Sequence, residues 1–247
     1  MVTFRFYAEL NDFLATERRQ REFACRCARA ATTKHMIEAL GVPHTEVDLI
    51  LVNGVAAGFD RLLEEGDRVA VYPGFETLDV APLGVRERPM RSEAARFVAD
   101  AHLGGLARLL RMAGFDTLYD NHFHDSSIAA IATAENRIVL SRDRELLKRR
   151  EISRGCYVHA LNSAQQLQEI FRRLDLASSA RPFTLCLHCN APLHAIDRAL
   201  ALPRVPPAVQ ARYRRFTTCE ICQRVYWEGS HWERMRGLLD RVMPARD

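Results

Sequence analysis

Between residues 95 and 175 the chain repeats one pattern four times: a short apolar strand, a tight connection and a helix. "RFVA" precedes "HLGGLARLLRMAG", "DTLY" precedes "SSIAAIATAEN", "RIVL" precedes "RELLKRR", and "GCYVHA" precedes "SAQQLQEIFRRLDL". No other feature narrows the fold as much. Strict alternation with short loops requires an α/β domain built on a parallel sheet with right-handed crossovers. Runs such as Ile138-Val139-Leu140 do not alternate, so the strands are expected to be covered on both faces. Gly114 is expected to close the first helix and Ser163 to cap the last.

This pattern sets acids at the ends of strands. Asp100 follows the first strand, Asp120 the second and Asp143 the third, while Asp125 precedes the intervening helix. Loops at the carboxyl ends of parallel strands share one edge, where open α/β sheets bind ligands. Several carboxylates gathered there repel one another unless a divalent cation lies between them, and Mg²⁺ or Mn²⁺ suits oxygen donors. Such a site activates water for in-line attack at phosphorus. Asp143 has a second reading, as N-cap of the helix beginning near Glu145. Arg108 and Arg111 lie three apart on one helix face, and Arg142 and Arg144 flank Asp143. All four are candidate phosphate clamps, with an ordinary solvated helix face as the other reading of Arg108 and Arg111. In "DNHFHD", His122, His124 and Asp125 form a rival transition-metal set or plain polar surface.

Residues 1–80 read as a separate small mixed fold, with strands in "VTFRFYAEL", "REFACRC", "VDLILVNG" and Val69–Tyr72 and a helix in "TTKHMIEALG". Thr32 or Thr33 is its expected N-cap and Gly41 the residue after its end. Asn53-Gly54 is a hairpin turn signal. The order ββαββ points to a β-grasp domain.

In the last part, Cys186-Leu-His-Cys189 and Cys219-Glu-Ile-Cys222 are two C-x-x-C knuckles, a spacing that closes a tetrahedral structural Zn²⁺ site. "LPRVPPAVQARYRRF" between them is expected to hold a short helix after Pro206-Pro207. Beyond the second knuckle, "RVYWEGSHWERM" interleaves Tyr226, Trp227, His231 and Trp232 with arginines, a composition that stacks unpaired bases and holds phosphate. The other reading is that the tryptophans bind the ribbon to the sheet.

Charge is uneven. Residues 1–80 are net −4, residues 81–175 net +3 and residues 176–247 net +5, so a polyanion is expected to meet the later two thirds. Only two of the 35 basic residues are lysine. Arginine's fork suits phosphate, although GC-rich coding gives the same bias. Four of seven cysteines in paired knuckles favour metal binding in a reducing compartment over disulfides. No apolar run approaches the ~20 residues of a membrane span, and the first twenty residues hold no apolar signal core. The expected setting is the cytoplasm. The expected divisions are 1–80 β-grasp, 81–94 linker, 95–178 parallel-sheet α/β domain, and 179–247 zinc ribbon with a terminal helix.

Two resemblances sharpen these expectations. "ILVNGVAAGFDRLLEEGDRVAVYPGF" resembles the C-terminal half of the ubiquitin-like sulfur carriers. Those act through a Gly-Gly tail, whereas here Tyr72-Pro73-Gly74 runs on into "FETLDVAPLGV". A docking module for a protein partner is therefore expected in place of a carrier. "FVADAHLGGLARLLRMAGFDTLYD" and "LSRDREL" resemble the Mut-seven C-terminal RNase family of PIN-domain-like nucleases, over roughly residues 95–240. The resemblance implies a metal-dependent ribonuclease with Asp100, Asp125 and Asp143 at the acidic positions and RNA as substrate. Asp116 and Asp120 alone occupy the interval of a further acid. The family's Gly-Ser-His-Trp stretch matches Gly229 to Trp232, which brings His231 to the substrate. The rival reading is an RNA-binding module on a silent PIN-like scaffold.

Overall fold

The computed structural model describes residues 1–74 and 95–243. The expected linker, 81–94, lies outside them. By contact density the chain divides into two compact units, Met1–Glu93 with Ser141–Tyr157 and Ala94–Leu140 with Val158–Asp247.

In the first unit, strands β1 (Val2–Phe6), β2 (Phe23–Cys25), β3 (Leu49–Val52), β4 (Val55–Ala56) and β5 (Arg68–Tyr72) form one mixed sheet with helix α1 (Thr33–Ala39). The order is β2-β1-β5-β3-β4, with β1 and β5 parallel and the other pairs antiparallel. This is the expected β-grasp. Period-two alternation places Val2, Phe4 and Phe6 in the core with Ile37, Ile50, Val69 and Val71. Each such side chain contributes about 1.5–3 kcal/mol on burial. The Thr32 hydroxyl caps α1, accepting from the His35 N–H at 3.2 Å. Asn53 and Gly54 both have positive φ, 52° and 82°, as a two-residue hairpin turn requires. "VTFRFYAEL" is strand only to Phe6. The chain then winds into a 3₁₀ turn, Ala8–Phe13, because the Asn11 amide donates to the carbonyls of Phe6 and Ala8 at 3.0 and 2.9 Å.

The α/β alternation follows in chain order: β6 (Phe97–Ala99), α2 (Gly104–Met112), β7 (Thr117–Tyr119), α3 (Asp125–Glu135), β8 (Ile138–Ser141), α4 (Arg144–Leu147), β9 (Gly155–Tyr157) and α5 (Ser163–Arg173). In the second unit β6 is flanked by β7 and β8, parallel to both. Phe97, Val98 and Ala99 are fully buried, as a strand covered on both faces must be. Phe97, Phe115 and Phe171 meet edge to face at 5.9 and 5.8 Å, joining the sheet to α5. The cap of α5 is Asn162, not Ser163, because the Asn162 side chain accepts from the Gln165 N–H at 2.9 Å.

The second unit ends in an antiparallel ribbon, β10 (Leu193–Ile196), β11 (Phe216–Cys219) and β12 (Val225–Tyr226). Between β10 and β11 lie α6 (Arg198–Ala201) and α7 (Pro207–Arg212), the latter opening on Pro207 as expected. Helix α8 (Ser230–Val242) follows. The ribbon's own core is small: Ala201, Val205 and Phe216, flanked by Tyr213 and Trp227. Among the described residues no helix is long and apolar enough to cross a membrane.

Candidate active site and metal centre

The ligand atoms of Cys186, Cys189, Cys219 and Cys222 all lie within 4.8 Å of one another. Cys186 and Cys222 sulfurs are 3.5 Å apart, Cys189 and Cys219 sulfurs 3.3 Å. A tetrahedral Zn–S bond of about 2.3 Å sets sulfurs roughly 3.8 Å apart, so the cage fits such an ion. The two knuckles are the same turn used twice. The carbonyl of each leading cysteine, Cys186 and Cys219, accepts from the N–H four residues on, Asn190 at 3.0 Å and Gln223 at 2.9 Å. Asn190 and Gln223 both take left-handed backbone, φ 67° and 60°. The Tyr226 hydroxyl lies 3.1 Å from the Cys186 sulfur. Desolvation pushes the Cys186 thiol up, but this hydroxyl and the N–H groups of Cys189 and His188 outweigh it and hold it at about 6.

The first knuckle is bonded to the sheet. Arg111 on α2 is 5 % exposed and donates to the carbonyls of Thr117 at 2.9 Å, His188 at 2.7 Å and Leu187 at 3.3 Å. The Asn190 side chain accepts from the Thr117 N–H at 3.0 Å and donates to Asp116 at 2.5 Å. Arg111 was expected to clamp phosphate with Arg108. Its fork is instead turned inward to hold the cysteine turn, and Arg108, three residues earlier, is exposed.

The acids fall into two kinds. Asp100 sits at the carboxyl end of the central strand β6, from which the chain passes to β7 on one side and β8 on the other. That reversal is where an open sheet leaves a crevice. Asp100 is 7 % exposed. Its N–H continues the ladder to the Leu140 carbonyl at 3.0 Å, and its carboxylate accepts from the Ala101 N–H at 2.6 Å. The Tyr119 hydroxyl donates to the Ala101 carbonyl at 3.0 Å and so braces this turn, a role that no local pattern announces. Asp125 is the first residue of α3, exposed.

Asp143 is exposed and caps α4: its Oδ1 accepts from the N–H groups of Glu145 at 2.8 Å and Leu146 at 3.4 Å. The cap reading is therefore realised, and Oδ2 makes no hydrogen bond among the described residues. Asp116 and Asp120 are committed elsewhere. Asp116 is held by Arg137 at 2.8 Å, Arg96 at 3.0 Å and Asn190. Asp120 accepts from the N–H and ring of its neighbour His122 at 2.8 and 3.0 Å, and these bonds lower its carboxyl pKa.

Among the described residues the four cysteines are the group placed to hold one ion. Asp100 and Asp125 of the second unit belong to no such group, nor do His122 and His124.

Of the remaining expected contacts, Arg142 is exposed. Arg144 is not. Its guanidinium donates to the Phe13 carbonyl at 3.0 Å and lies over the Phe13 and Tyr157 rings at 5.0 and 5.9 Å. It belongs to the first unit's packing and does not reach out as a clamp. His231 is exposed at the start of α8, while Trp232 packs on Phe183 at 5.0 Å with Arg236 over its ring. Phe183 donates its N–H to the Met112 carbonyl at the end of α2. The tryptophans thus serve packing: Trp227 in the ribbon core, Trp232 between α8 and the segment beside α2.

Comparison with curated proteins and with solved structures finds no match. Comparison with protein families matches residues 1–79 to the Mut7-C ubiquitin domain and residues 95–239 to the Mut7-C RNAse domain. The chain therefore belongs to the Mut7-C RNase family and carries that family's ubiquitin-like domain in front of its RNase domain.

Proposed function

We propose that the chain is a divalent-metal-dependent ribonuclease that hydrolyses RNA phosphodiester bonds, with Asp100, Asp125 and Asp143 as its catalytic carboxylates. The observation that carries this reading is the place of Asp100: nearly buried, braced by Tyr119, at the carboxyl end of the central strand where the strand order reverses. All three donors are carboxylate oxygens, the chemistry Mg²⁺ and Mn²⁺ take. A bound ion would activate water and offset the charge that develops on the phosphate. The protein's share is positioning. Asp100 is fixed by its own turn, Asp143 presents Oδ2 while Oδ1 holds the cap, and Arg108 and Arg142 offer exposed guanidinium groups to flanking phosphates. His231 is assigned to the substrate, and RNA as that substrate rests on the family. The four cysteines hold structural Zn²⁺, and thiols kept for a metal fit a reducing compartment, the cytoplasm. The ubiquitin-like domain is a docking module for a protein partner.

A second reading, RNA binding without cleavage, is favoured by the capping role of Asp143. Cleavage of labelled single-stranded RNA with Mn²⁺, Mg²⁺ or EDTA, run beside Asp143→Asn and with gel-shift binding, separates the two. Metal-dependent cleavage that disappears in the variant supports the nuclease. Binding without cleavage, equal in both proteins, supports the silent scaffold.

A further inference from the structure

The ubiquitin-like sheet has a face that its core does not use. The alternation that sends Phe4, Phe6, Val69 and Val71 inward sends Arg5 and Tyr7 to the other side, with Ala70 and Tyr72 beside them. Register sets one row across three strands: Arg5 is the partner of Ala70, and Ala70 is the partner of Leu51. The middle residue of that row carries a single methyl group, so the sheet is hollow there. The hollow measures about 510 Å³, and Arg5, Tyr7, Leu51, Ala70 and Tyr72 line it. All of these residues belong to the first unit.

Tyr7 and Tyr72 stack at 4.2 Å, and the Arg5 guanidinium lies 5.2 Å from the centre of the Tyr7 ring. This wall holds the arginine in place. It does not satisfy it. Arg5 Nε is buried without a hydrogen-bond partner, and among the described residues no carboxylate pairs with the guanidinium. The carboxylate on the rim is already taken, since both Glu22 oxygens accept from Arg68 at 2.9 and 3.0 Å. A half-buried cation without a counter-charge is unfavourable until an anion meets it. An arginine fork beside aromatic and apolar surface takes a carboxylate through two parallel hydrogen bonds, and such arginines anchor protein interfaces.

Two features select the anion. Residues 1–80 are net −4, which holds a polyanion such as RNA off this module. Ala70 and Leu51 give the hollow an apolar floor beside the guanidinium, which suits one carboxylate with an aliphatic neighbour. We propose that this hollow docks a protein partner through one aspartate or glutamate side chain bound to Arg5, with an adjoining aliphatic side chain seated on Ala70 and Leu51. This rests on the reading of the module as a docking domain and gives that domain its surface and its ligand.

The test screens the full chain against random peptides fixed to beads by their C-termini, so that no terminal carboxylate is free. Recovered peptides, remade with amidated C-termini, are titrated into the parent, Arg5→Gln, Ala70→Glu and Arg29→Gln. Arg29 is exposed and lies outside the hollow, so it carries the same charge change elsewhere. Ala70→Glu sets a carboxylate of the chain's own beside Arg5. A peptide with its acid replaced by the amide probes the pair from the other side and needs no variant of the protein. The expected peptides share one acid next to an aliphatic residue. Their affinity falls about tenfold in Arg5→Gln, in Ala70→Glu and in the amide peptide, the scale of hydrogen bonds to a charged group. Arg29→Gln behaves as the parent. Peptides without an acid, or with affinity unchanged in Arg5→Gln, overturn the hollow as the site and leave the docking reading standing. A screen that recovers no peptide overturns the docking reading and the proposal with it. Single-stranded RNA whose binding falls in Arg5→Gln and not in Arg29→Gln assigns the hollow to RNA and also overturns the proposal.

Discussion

The Arg111 guanidinium donates to the His188 carbonyl at 2.7 Å, so a helix of the α/β sheet holds the turn between the first two cysteines. The same fork reaches Thr117, and burial lowers the pKa of the group below the ordinary arginine value. Its charge is retained because Nε and Nη1 both end on carbonyls, those of Thr117, Leu187 and His188.

Arg111→Leu is expected to leave the Thr117 and His188 carbonyls without their donor and to lower stability by about 3 kcal/mol, the upper range for hydrogen bonds from a charged group. Arg111→Lys should recover little, since an ammonium lacks the planar fork. Denaturant unfolding measures the loss, and zinc release to a chelator should quicken in both variants. A parental unfolding midpoint in Arg111→Leu would contradict the role.

Tyr226→Phe keeps the ring and removes the hydroxyl beside Cys186. To a metal-bound thiolate a hydroxyl can only donate, and partners of that kind change metal affinity 10–100-fold in general. We expect about tenfold weaker zinc in a chelator competition with little change in circular dichroism. Stripping the metal altogether should unfold the ribbon, whose own core is three buried side chains.

Asp116 gives the fold an acid limit. Burial pushes its carboxyl up, but hydrogen bonds from Arg137, Asn190 and Arg96 outweigh it and bring it from 3.8 to about 2. The folded state therefore keeps the group ionised where the unfolded chain takes up a proton. The stabilisation is complete above pH 3.8 and drains away as pH falls towards 2. Unfolding curves between pH 5 and about 2 should flatten in Asp116→Asn, which loses its ion pair at every pH.

The two roles assigned to Asp143 separate by substitution. Asparagine caps a helix about as well as aspartate, whereas alanine costs about 1 kcal/mol. Asp143→Asn should melt like the parent and lose metal-dependent cleavage. Asp143→Ala should lose both. Full activity in Asp143→Asn would leave the residue a cap alone.

What the sequence determined by itself was local or periodic. Alternating apolar runs and helices specified the parallel strands, because side-chain period and loop length leave a chain few ways to bury both faces. Asn53-Gly54 specified its hairpin through backbone freedom, and paired C-x-x-C spacing specified the four-cysteine cluster through the reach of one turn. Tertiary structure decided the fate of the charges. Arg108 and Arg111 read alike on one helix, yet one faces solvent and the other is buried against a turn 77 residues away. Arg142 and Arg144 flank the same aspartate, yet Arg144 is taken by Phe13, 131 residues earlier. A guanidinium carries no local signal of its partner. Whether it becomes a phosphate clamp or a structural tie depends on which carbonyls and rings the distant chain brings within 3 to 6 Å, and only the folded contacts supply those.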